Sequence, residues 1–394
     1  MDVKKMAFEL KDKLIEMRRH FHQFPEIAYE EFKTSSYIAD KLSKLDIEVK
    51  TGIAKTGVVG ILKGNGDKTI ALRADMDALP VTEKNDIEYK SRYEGKMHAC
   101  GHDAHMSMLL GAAMILSKLI EHLKGNIKFI FQPSEESLPG GAKKMIEEGV
   151  LDNPTVDAIF GLHADPTMST GKVGYKHGVL MAFTSEFTII LQGKGGHAAV
   201  PQMSIDPIVM ASDVIQELQK ITSRWVSPLE PLVVTIGSIH GGTTFNIIPG
   251  EVELKGTVRV LNMELVDKVK GMIDDILKGI TDIYGGTYSF EFVKGYPVLK
   301  NDKAFTILAT TIIKELFGEE NAVEIEDPLM GGEDFAYYLE KIQGTFLRLG
   351  TGNKEKGSNY PWHHQRFNID EDALPLGTAL FTKFAVDFLS LDDR

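Results

Sequence analysis

The sequence predicts an α/β protein, with a mostly parallel β-sheet covered by helices on both faces and a smaller α+β domain inserted into it. Three observations predict this fold. Strand-like segments alternate with helical periodicities early in the chain. The order of elements changes near Ala182 and reverts after Pro297. Metal-binding residue types follow directly on the ends of predicted strands.

The first part of the chain carries the alternation of strands and helices. Apolar residues recur at helical spacing at Met6, Leu10, Leu14, Met17 and Phe21, which predicts an opening amphipathic helix. Strands are predicted at 57–62, 69–74, 126–131 and 156–162, and helices at 103–119 and 140–149. This order favours a mostly parallel sheet with helices on both faces.

A different order of elements begins after Ala182. Strands are predicted at 186–192, 232–239, 251–260 and 287–293, and helices at 206–221 and 264–280. Their order, β-α-β-β-α-β, is typical of a ferredoxin-like module. We therefore expect a discontinuous catalytic domain formed by 1–182 and 294–394, and an inserted domain formed by 183–293.

Composition narrows the class of partner. The 394 residues include 44 basic and 56 acidic side chains, a net charge of −12, which argues against nucleic acid or an anionic membrane as the main partner. The N-terminal segment has no apolar core typical of a signal peptide, and we expect no stretch near the ~20 apolar residues that span a bilayer. With one cysteine there is no internal disulfide, so a cytoplasmic location is predicted.

The segment M-H-A-C-G-H-D-A-H at 97–105 concentrates metal-binding residue types. It contains three of the twelve histidines and the single cysteine, Cys100, two residues before His102. A thiolate beside imidazoles suits a borderline-soft cation such as zinc. A buried structural thiol is the alternative interpretation.

Two predicted strands end in further polar groups. Glu135 and Glu136 follow the strand at 126–131, and His163 follows the strand at 156–162. Because sites in open α/β sheets form beyond the carboxyl ends of strands, we expect these groups at one edge. Taken alone, the two glutamates could form a solvated acidic turn, and His163 could be a core histidine. With Cys100, His102 and one histidine of the pair at 363–364, they would complete a two-metal site.

Eight motifs in order along the chain carry a family resemblance. They are R-H-F-H-Q-F-P-E at 19–26, L-R-A-D-M-D-A-L-P at 72–80, the segment at 97–105, Q-P-S-E-E at 132–136, G-G-H-A-A at 195–199, N-I-I-P at 246–249, G-T-V-R at 256–259 and G-G-E-D-F at 331–335. On these motifs the chain resembles, over essentially its whole length, the dinuclear metallopeptidase family of aminoacylases, hippurate hydrolases, auxin-conjugate hydrolases and thermostable archaeal carboxypeptidases.

The resemblance implies a ligand set and a base. The implied metal ligands are Cys100, His102, Glu136, His163 and His363. His363 is chosen over His364 because the histidine of the family stands four residues before the phenylalanine, here Phe367. Glu135 is implied as the general base that takes a proton from a metal-bridged water.

The same resemblance implies residues outside the ligand set. His197, in the inserted domain, would stabilise the oxyanion, in this subunit or in a partner. Asn246, Arg259, Gly331 and Gly332 match substrate-binding positions, and Arg259 could pair with a free carboxylate. A surface salt bridge is the alternative role for Arg259. The inserted domain would act as a lid and in dimerisation, so a homodimer or homotetramer is expected.

Two acidic residues and three departures complete the comparison with the family. Asp75 and Asp77 resemble groups that orient ligands, or they form a polar strand end. Gln202 stands where many relatives have histidine, Trp362 where leucine is usual, and Gln365 where proline is common. None of these departures removes a ligand or the base, so we expect an active enzyme.

The resemblance implies a dinuclear-metal amidohydrolase for a small-molecule substrate, either an N-acyl amino acid or a short peptide cleaved at its C-terminal residue. The two divalent ions are expected to be Zn²⁺, with Mn²⁺ or Co²⁺ as alternatives. An N-acetyl-diaminopimelate deacetylase is a narrower possibility. The other classes are a cysteine-nucleophile hydrolase using Cys100, a non-catalytic binding relative, and a structural zinc protein.

Overall fold

A computed structural model describes residues 2–391, which divide into two compact units. The first unit comprises the chain up to Gly178, Lys300–Asp327 and the chain from Asp334 onward. The second unit comprises Val179–Leu299 and Pro328–Glu333.

Helices and strands occur throughout the described residues. The α-helices are α1 (Val3–Glu9), α2 (Lys11–Gln23), α3 (Phe32–Ser43), α4 (His102–Leu116), α5 (Gly141–Glu147), α6 (Pro207–Lys220), α7 (Glu264–Tyr284), α8 (Lys303–Phe317), α9 (Ala336–Leu339) and α10 (Leu374–Ser390). The strands are β1 (Glu48–Ile53), β2 (Gly57–Leu62), β3 (Thr69–Asp75), β4 (Asn126–Gln132), β5 (Ala158–Ser169), β6 (Val173–Tyr175), β7 (Gly178–Met181), β8 (Phe183–Gln192), β9 (Gly196–His197), β10 (Leu232–Gly241), β11 (Ile247–Ile248), β12 (Glu251–Val260), β13 (Thr287–Lys294), β14 (Leu299–Asn301), β15 (Ala322–Glu324) and β16 (Gln343–Gly352). Short 3₁₀ turns lie at Ser117–His122, Pro201–Met203, Glu319–Asn321 and Glu371–Ala373, and a π-helical turn at Ile221–Trp225.

The first unit is built on an eight-stranded sheet in the order β1-β2-β4-β3-β5-β16-β6-β15. The central strands β4, β3, β5 and β16 are parallel to one another, whereas β1 and β2 run antiparallel at one edge. The predicted α/β class with a large, mostly parallel sheet is therefore confirmed. The parallel centre brings the carboxyl ends of β3, β4 and β5 to one edge.

Neighbouring residues of β5 show that both faces of this sheet are covered. Phe160 stacks on Phe384 of α10, with ring centroids 4.3 Å apart. Gly161 faces the opposite side, where a side chain would lie 2.8 Å from ring atoms of Phe335 and Phe346. Successive strand residues point to opposite faces, so one layer contains α10 and the other contains the segment leading into α9.

Two core helices of the first unit correct one expectation from the sequence. The segments His102–His122 and Glu371–Ser390 are long and apolar enough to cross a membrane, contrary to the expectation that no stretch would be. In each, 78% of the most apolar window is buried inside the protein. A helix surrounded by other elements of a protein core is apolar on every side, so its composition matches that of a membrane span.

The second unit has a four-stranded antiparallel sheet in the order β10-β12-β8-β13. Helices α6 and α7 pack together and against this sheet, so the element order β8-α6-β10-β12-α7-β13 is that of a ferredoxin-like module. Its apolar core includes Phe187, Leu254 and Ile273, all fully or almost fully buried.

Several observed boundaries differ from those expected. The opening helix is two helices, because Leu10 interrupts the helical hydrogen bonding between α1 and α2. Residues 328–333 belong to the second unit, although the expected division placed them with the catalytic domain. The cause is a long-range backbone pairing: the N–H of Ala182 donates to the carbonyl oxygens of Leu329 and Gly331, both at 3.0 Å.

Candidate metal centre

Cys100 and His102 lie at the start of α4, in the first unit. Gly101 between them has φ of +96°, a left-handed conformation that favours glycine, and the helix begins at the next residue. The Sγ of Cys100 lies 3.4 Å from the Nε2 of His163, which projects from β5. The tight turn at Gly101 and the parallel sheet thus bring a thiol and an imidazole together, both buried.

Backbone carbonyls orient two of the imidazoles. The Nδ1–H of His102 donates to the carbonyl oxygen of Asp77 at 2.8 Å, and the Nδ1–H of His163 donates to that of Ala164 at 2.8 Å. In each neutral ring, this leaves the lone pair on Nε2, the atom that would bind a cation.

Glu136 belongs to the same cluster of proposed ligands, which also contains Cys100, His102, His163 and His363. Its Oε1 lies 3.9 Å from the Nε2 of His102 and 3.4 Å from the Nε2 of His363. Among the described residues, His102 Nε2 and Glu136 Oε1 are both buried without a hydrogen bond. Buried polar atoms are rarely left without a partner, and a carboxylate facing imidazole nitrogens at these distances fits an intervening cation.

The ligand atoms form two groups that share one residue. In each group the candidate ligand atoms lie within 4.8 Å of one another, and the groups are Cys100 with His102 and His163, and Cys100 with Glu136 and His363. With one thiol belonging to both groups, these five residues would hold two divalent cations and supply them with thiolate, imidazole and carboxylate donors. A third group, His102 with Glu135 and Glu136, brings the second glutamate to the same place.

Asp77 positions the segment that follows β4. Its two carboxylate oxygens accept the backbone N–H groups of Glu135 at 3.0 Å and Glu136 at 2.9 Å. Its backbone carbonyl also accepts the hydrogen bond from His102. One buried aspartate therefore contacts three residues of the cluster, which agrees with the orienting role that the resemblance implies.

Asp75 forms hydrogen bonds with two buried residues next to the cluster. One of its oxygens accepts from His105 Nδ1 at 2.6 Å and the other from Arg73 at 2.8 Å. The Nε2 of His105 in turn accepts the backbone N–H of Ala164 at 2.8 Å. Asp75 therefore links the end of β3 to the middle of β5 through a fully buried histidine.

The cluster has a negative electrostatic environment. Burial lowers the pKa of His102, but Asp75 and other nearby carboxylates outweigh burial and raise the pKa to about 10. Burial, and then the charge of Glu136, raise the pKa of the Cys100 thiol. The pKa of His163 is lowered, chiefly by burial. Divalent cations would neutralise these carboxylates and favour the thiolate.

His197 and Asn246 lie together in the second unit. Strand β9 pairs with β11, so His197 is opposite Ile247, the residue after Asn246. His197 is exposed, and its Nδ1 accepts the N–H of Ala199 at 3.1 Å. This hydrogen bond places the ring proton of the neutral imidazole on Nε2, which makes Nε2 a donor.

Arg259 and the glycine pair also belong to the second unit. Arg259 lies opposite Thr184 in the β12–β8 ladder, and its Nη1 donates to the Ser185 carbonyl at 3.2 Å. A side chain at Gly332 would lie 2.2 Å from Cγ2 of Thr184, so only glycine fits there without rearrangement. The structure thus brings Arg259 and Gly332 to the same residue, with Gly331 beside them.

The sequence interpretation assigned no role to the buried pair Arg18 and His22. Both contact Oδ2 of Asp103 at 2.8 Å, and Nε2 of His22 lies 3.1 Å from Glu83. These contacts hold the first turn of α4, next to the cluster. The available signal was the i, i+4 spacing of a basic residue and a histidine on one helix.

Comparisons with known proteins place the chain in a family of hydrolytic enzymes. The sequence profile of peptidase family M20/M25/M40 matches residues 71–387. Thermostable carboxypeptidase 1 of Saccharolobus solfataricus is 42% identical over 384 residues, covering 96% of each chain. N-acetyl-L-cysteine deacetylase of Bacillus subtilis is 42% identical over 368 residues, covering 93% of this chain and 85% of that protein. The YXEP protein of B. subtilis, described as a dinuclear metal binding peptidase of the M20 family, has a TM-score of 0.83 at 36% identity, covering 97% of this chain and 98% of that one.

A hydrolytic class follows from the fold, the cluster and these relatives. The chain belongs to peptidase family M20/M25/M40. The resemblance inferred from its motifs is thereby confirmed, and the protein is a metal-dependent hydrolytic enzyme of the peptidase and amidohydrolase type.

Proposed function

We propose that this enzyme hydrolyses the amide bond of N-acyl amino acids, or the C-terminal bond of short peptides, at a dinuclear metal site. The proposed ligands are Cys100, His102, Glu136, His163 and His363, and the proposed metal is Zn²⁺. The observation that carries the proposal is the sharing of Cys100 between two ligand groups, with Glu135 adjacent to both glutamate and imidazole ligands. Thiolate and imidazole donors favour zinc over manganese, and cobalt is the closest alternative.

The bound cations would polarise the scissile carbonyl and lower the pKa of water in the site. The role proposed for Glu135 is to take a proton from the attacking water and pass it to the leaving amine. Its carboxylate is suited to this role because Glu135 is only 6% exposed, so bulk water does not compete for the proton. The hydrogen bond from its backbone N–H to Asp77 keeps the residue in place.

The second unit supplies the proposed substrate contacts. His197 would donate from Nε2 to the developing oxyanion, either in its own subunit or in a partner. Arg259 would bind the free carboxylate on the amine side of the amide, because a guanidinium can pair with both carboxylate oxygens. Asn246 would hydrogen-bond the substrate, and Gly331 and Gly332 would let the backbone approach it.

We also propose a homodimer or homotetramer in the cytoplasm, assembled through the second unit. Strand β10 is at the edge of its sheet, and an unpaired edge offers hydrogen bonds to another strand. The exposed side chains of Phe245 and Ile247, 97% and 54% accessible, add apolar area in the same unit. Sedimentation of a monomer at micromolar concentration would contradict this assembly.

The proposal is tested by measuring amino-acid release from a panel of substrates in the presence of Zn²⁺. The panel contains N-acetyl, N-benzoyl and N-carbobenzoxy amino acids, N-acetyl-diaminopimelate and unblocked dipeptides, each with a chelator control. Cleavage of blocked amino acids that the chelator abolishes is the expected result. Cleavage of dipeptides alone would indicate a peptidase, and turnover that survives complete metal removal would refute the metal mechanism.

Two adjacent histidines provide a matched pair of variants for the ligand assignment. His363→Ala should lower the zinc content and the turnover, because the Nε2 of His363 faces Glu136 at 3.4 Å. His364→Ala should leave both unchanged, since the Nδ1 of His364 is engaged with the N–H of Arg366 at 3.0 Å. The reverse pattern would show that the two histidines had been assigned the wrong way round.

A further inference from the structure

Three successive backbone N–H groups after β4 each donate to a buried carboxylate. Those of Glu135 and Glu136 donate to Asp77, at 3.0 and 2.9 Å. The N–H of Ser134 donates to Oε1 of Glu31 at 2.9 Å. Two carboxylates from distant parts of the chain therefore hold the backbone of the segment that carries the proposed base and one proposed ligand.

Ser134 needs this support because of its backbone conformation. Its φ is +54°, in the left-handed region that residues other than glycine rarely adopt. Such a conformation persists only when the surroundings hold it. The hydrogen bond to Glu31 is the buried contact at the Ser134 N–H, so it maintains the turn that directs the next two side chains.

Glu31 is itself held rigidly on its other side. It is fully buried, and its Oε2 accepts the hydroxyl of Thr56 at 2.6 Å. Both carboxylate oxygens therefore have a defined partner, one in the loop after β1 and one in the segment after β4. A buried carboxylate with a hydrogen bond to each oxygen holds its partners in more defined positions than a solvated carboxylate does.

We propose that Glu31 is a positioning residue of the active site: it fixes the turn at Ser134 and thereby sets the positions of Glu135 and Glu136. Glu31 acts through the backbone and touches neither substrate nor metal. The inference rests on the proposed function, because it assumes that Glu135 is the base and Glu136 a ligand. It adds a residue, from the segment before α3, to which the sequence interpretation assigned no role.

The test measures zinc affinity by competition with a chromophoric chelator, together with kcat and KM, in four variants. Glu31→Ala removes the acceptor. Glu31→Asp keeps the carboxylate, but the side chain is one methylene shorter, so the carboxylate lies farther from the Ser134 N–H. Glu31→Gln keeps a carbonyl oxygen for the Ser134 N–H. Glu148→Ala is the matched control, because its carboxylate accepts the backbone N–H of Ala54 at 2.7 Å, in the loop after β1 rather than in the segment after β4.

Glu31→Ala and Glu31→Asp should each weaken zinc binding by about 10- to 100-fold and lower kcat, with a smaller change in KM. Glu31→Gln should restore both values to near those of the wild type, and Glu148→Ala should change thermal stability only. All assays are performed below the lowest unfolding temperature. If Glu31→Ala does not fold, Glu31→Asp and Glu31→Gln still give opposite expectations.

Wild-type zinc affinity and kcat in Glu31→Asp would overturn the inference, as would an equal defect in Glu31→Gln, because the acceptor would then not matter. An equal loss in Glu148→Ala would also overturn it, by showing that any destabilisation of these loops lowers activity. Failure of the proposed function is distinguishable, since the wild-type enzyme itself would then bind no zinc or cleave no amide.

Discussion

The two units hold their functional residues in different ways. In the first unit, the proposed ligands Cys100, His102 and His163 are buried, and each histidine is fixed by a hydrogen bond to a backbone carbonyl. In the second unit, His197 and Asn246 are exposed, and their side chains accept hydrogen bonds from residues two positions away in the chain. Burial forces polar groups to find fixed partners, so the first set is organised in advance, whereas the second remains accessible to substrate or to another subunit.

The difference predicts how the two sets respond to substitution. Substituting a buried group should lower both the stability and the metal affinity, because its partners are left without hydrogen bonds. Substituting an exposed group should lower the turnover without changing the stability. Substitutions in both units test this contrast.

Glu135→Gln should lower kcat by about 10²- to 10⁴-fold, the usual contribution of general acid–base catalysis, because the amide cannot accept a proton. Zinc content should remain that of the wild type, since Gln keeps the backbone N–H that donates to Asp77. Stopped assays with an N-acyl amino acid and metal analysis of the same sample provide the measurement. A normal kcat would remove Glu135 from the mechanism.

Arg73→Met should destabilise the first unit by about 3–5 kcal/mol, because it breaks buried ion pairs and leaves charge uncompensated. The Arg73 guanidinium is 2.8 Å from carboxylate oxygens of both Asp75 and Asp334. Chemical denaturation followed by circular dichroism measures the effect. A loss below about 1 kcal/mol, the range of an exposed pair, would mean that the buried network contributes little to the contrast between the units.

His197→Ala should lower kcat by about 10²- to 10³-fold, the range for losing one oxyanion donor. Its unfolding temperature and zinc content should stay unchanged, because the side chain is exposed and belongs to the second unit. Mixing this variant with Glu135→Gln then reports whether His197 acts in trans: partial recovery of activity is expected if it does. A large stability loss would contradict the division between the two sets.

Glu31→Gln should make the protein more stable at pH 8 than the wild type, by on the order of 3 kcal/mol, and equally stable near pH 4. Burial raises the pKa of Glu31 from 4.5 to about 7, with Asp77 adding to the shift and the Thr56 hydrogen bond opposing it. Tyr29 also interacts electrostatically with Glu31.

The raised pKa of Glu31 determines how the stability of the wild type changes with pH. Below pH 4.5 the carboxyl is protonated in both folded and unfolded chains, so its contribution to stability is complete. As the pH rises from 4.5 to about 7, the unfolded chain ionises more readily than the folded one, and stability is lost. Denaturation curves at pH 4, 6 and 8 measure the free energy of unfolding of both proteins. A difference in this free energy that does not grow with pH would contradict the shift.

Lys294→Ala in the second unit should change the free energy of unfolding by less than about 1 kcal/mol, because its ion pair with Asp267 is exposed. The same denaturation assay compares it with Arg73→Met. Similar losses of unfolding free energy in the two variants would contradict the expected difference between buried and exposed ion pairs.

Much of the fold and of the candidate site could be predicted from the sequence. Strands β2 and β12 have the expected bounds, because their apolar, β-branched runs are long and end at clear turns. The cluster around Cys100 was expected because a thiol and histidines at short spacing are uncommon without a metal. The metal and substrate roles themselves stay predictions until these variants are measured.

The residue types available to the site and the alternation of strands and helices can be read from the chain alone, because both are local properties. Which atoms face one another depends on the folded protein. The register that sets Asp75 of β3 beside Gln132 of β4, the carbonyl that orients His163, and the contact between Glu31 and Ser134 are all features of the folded chain. Such partners depend on the packing of the whole sheet, and no local periodicity specifies them.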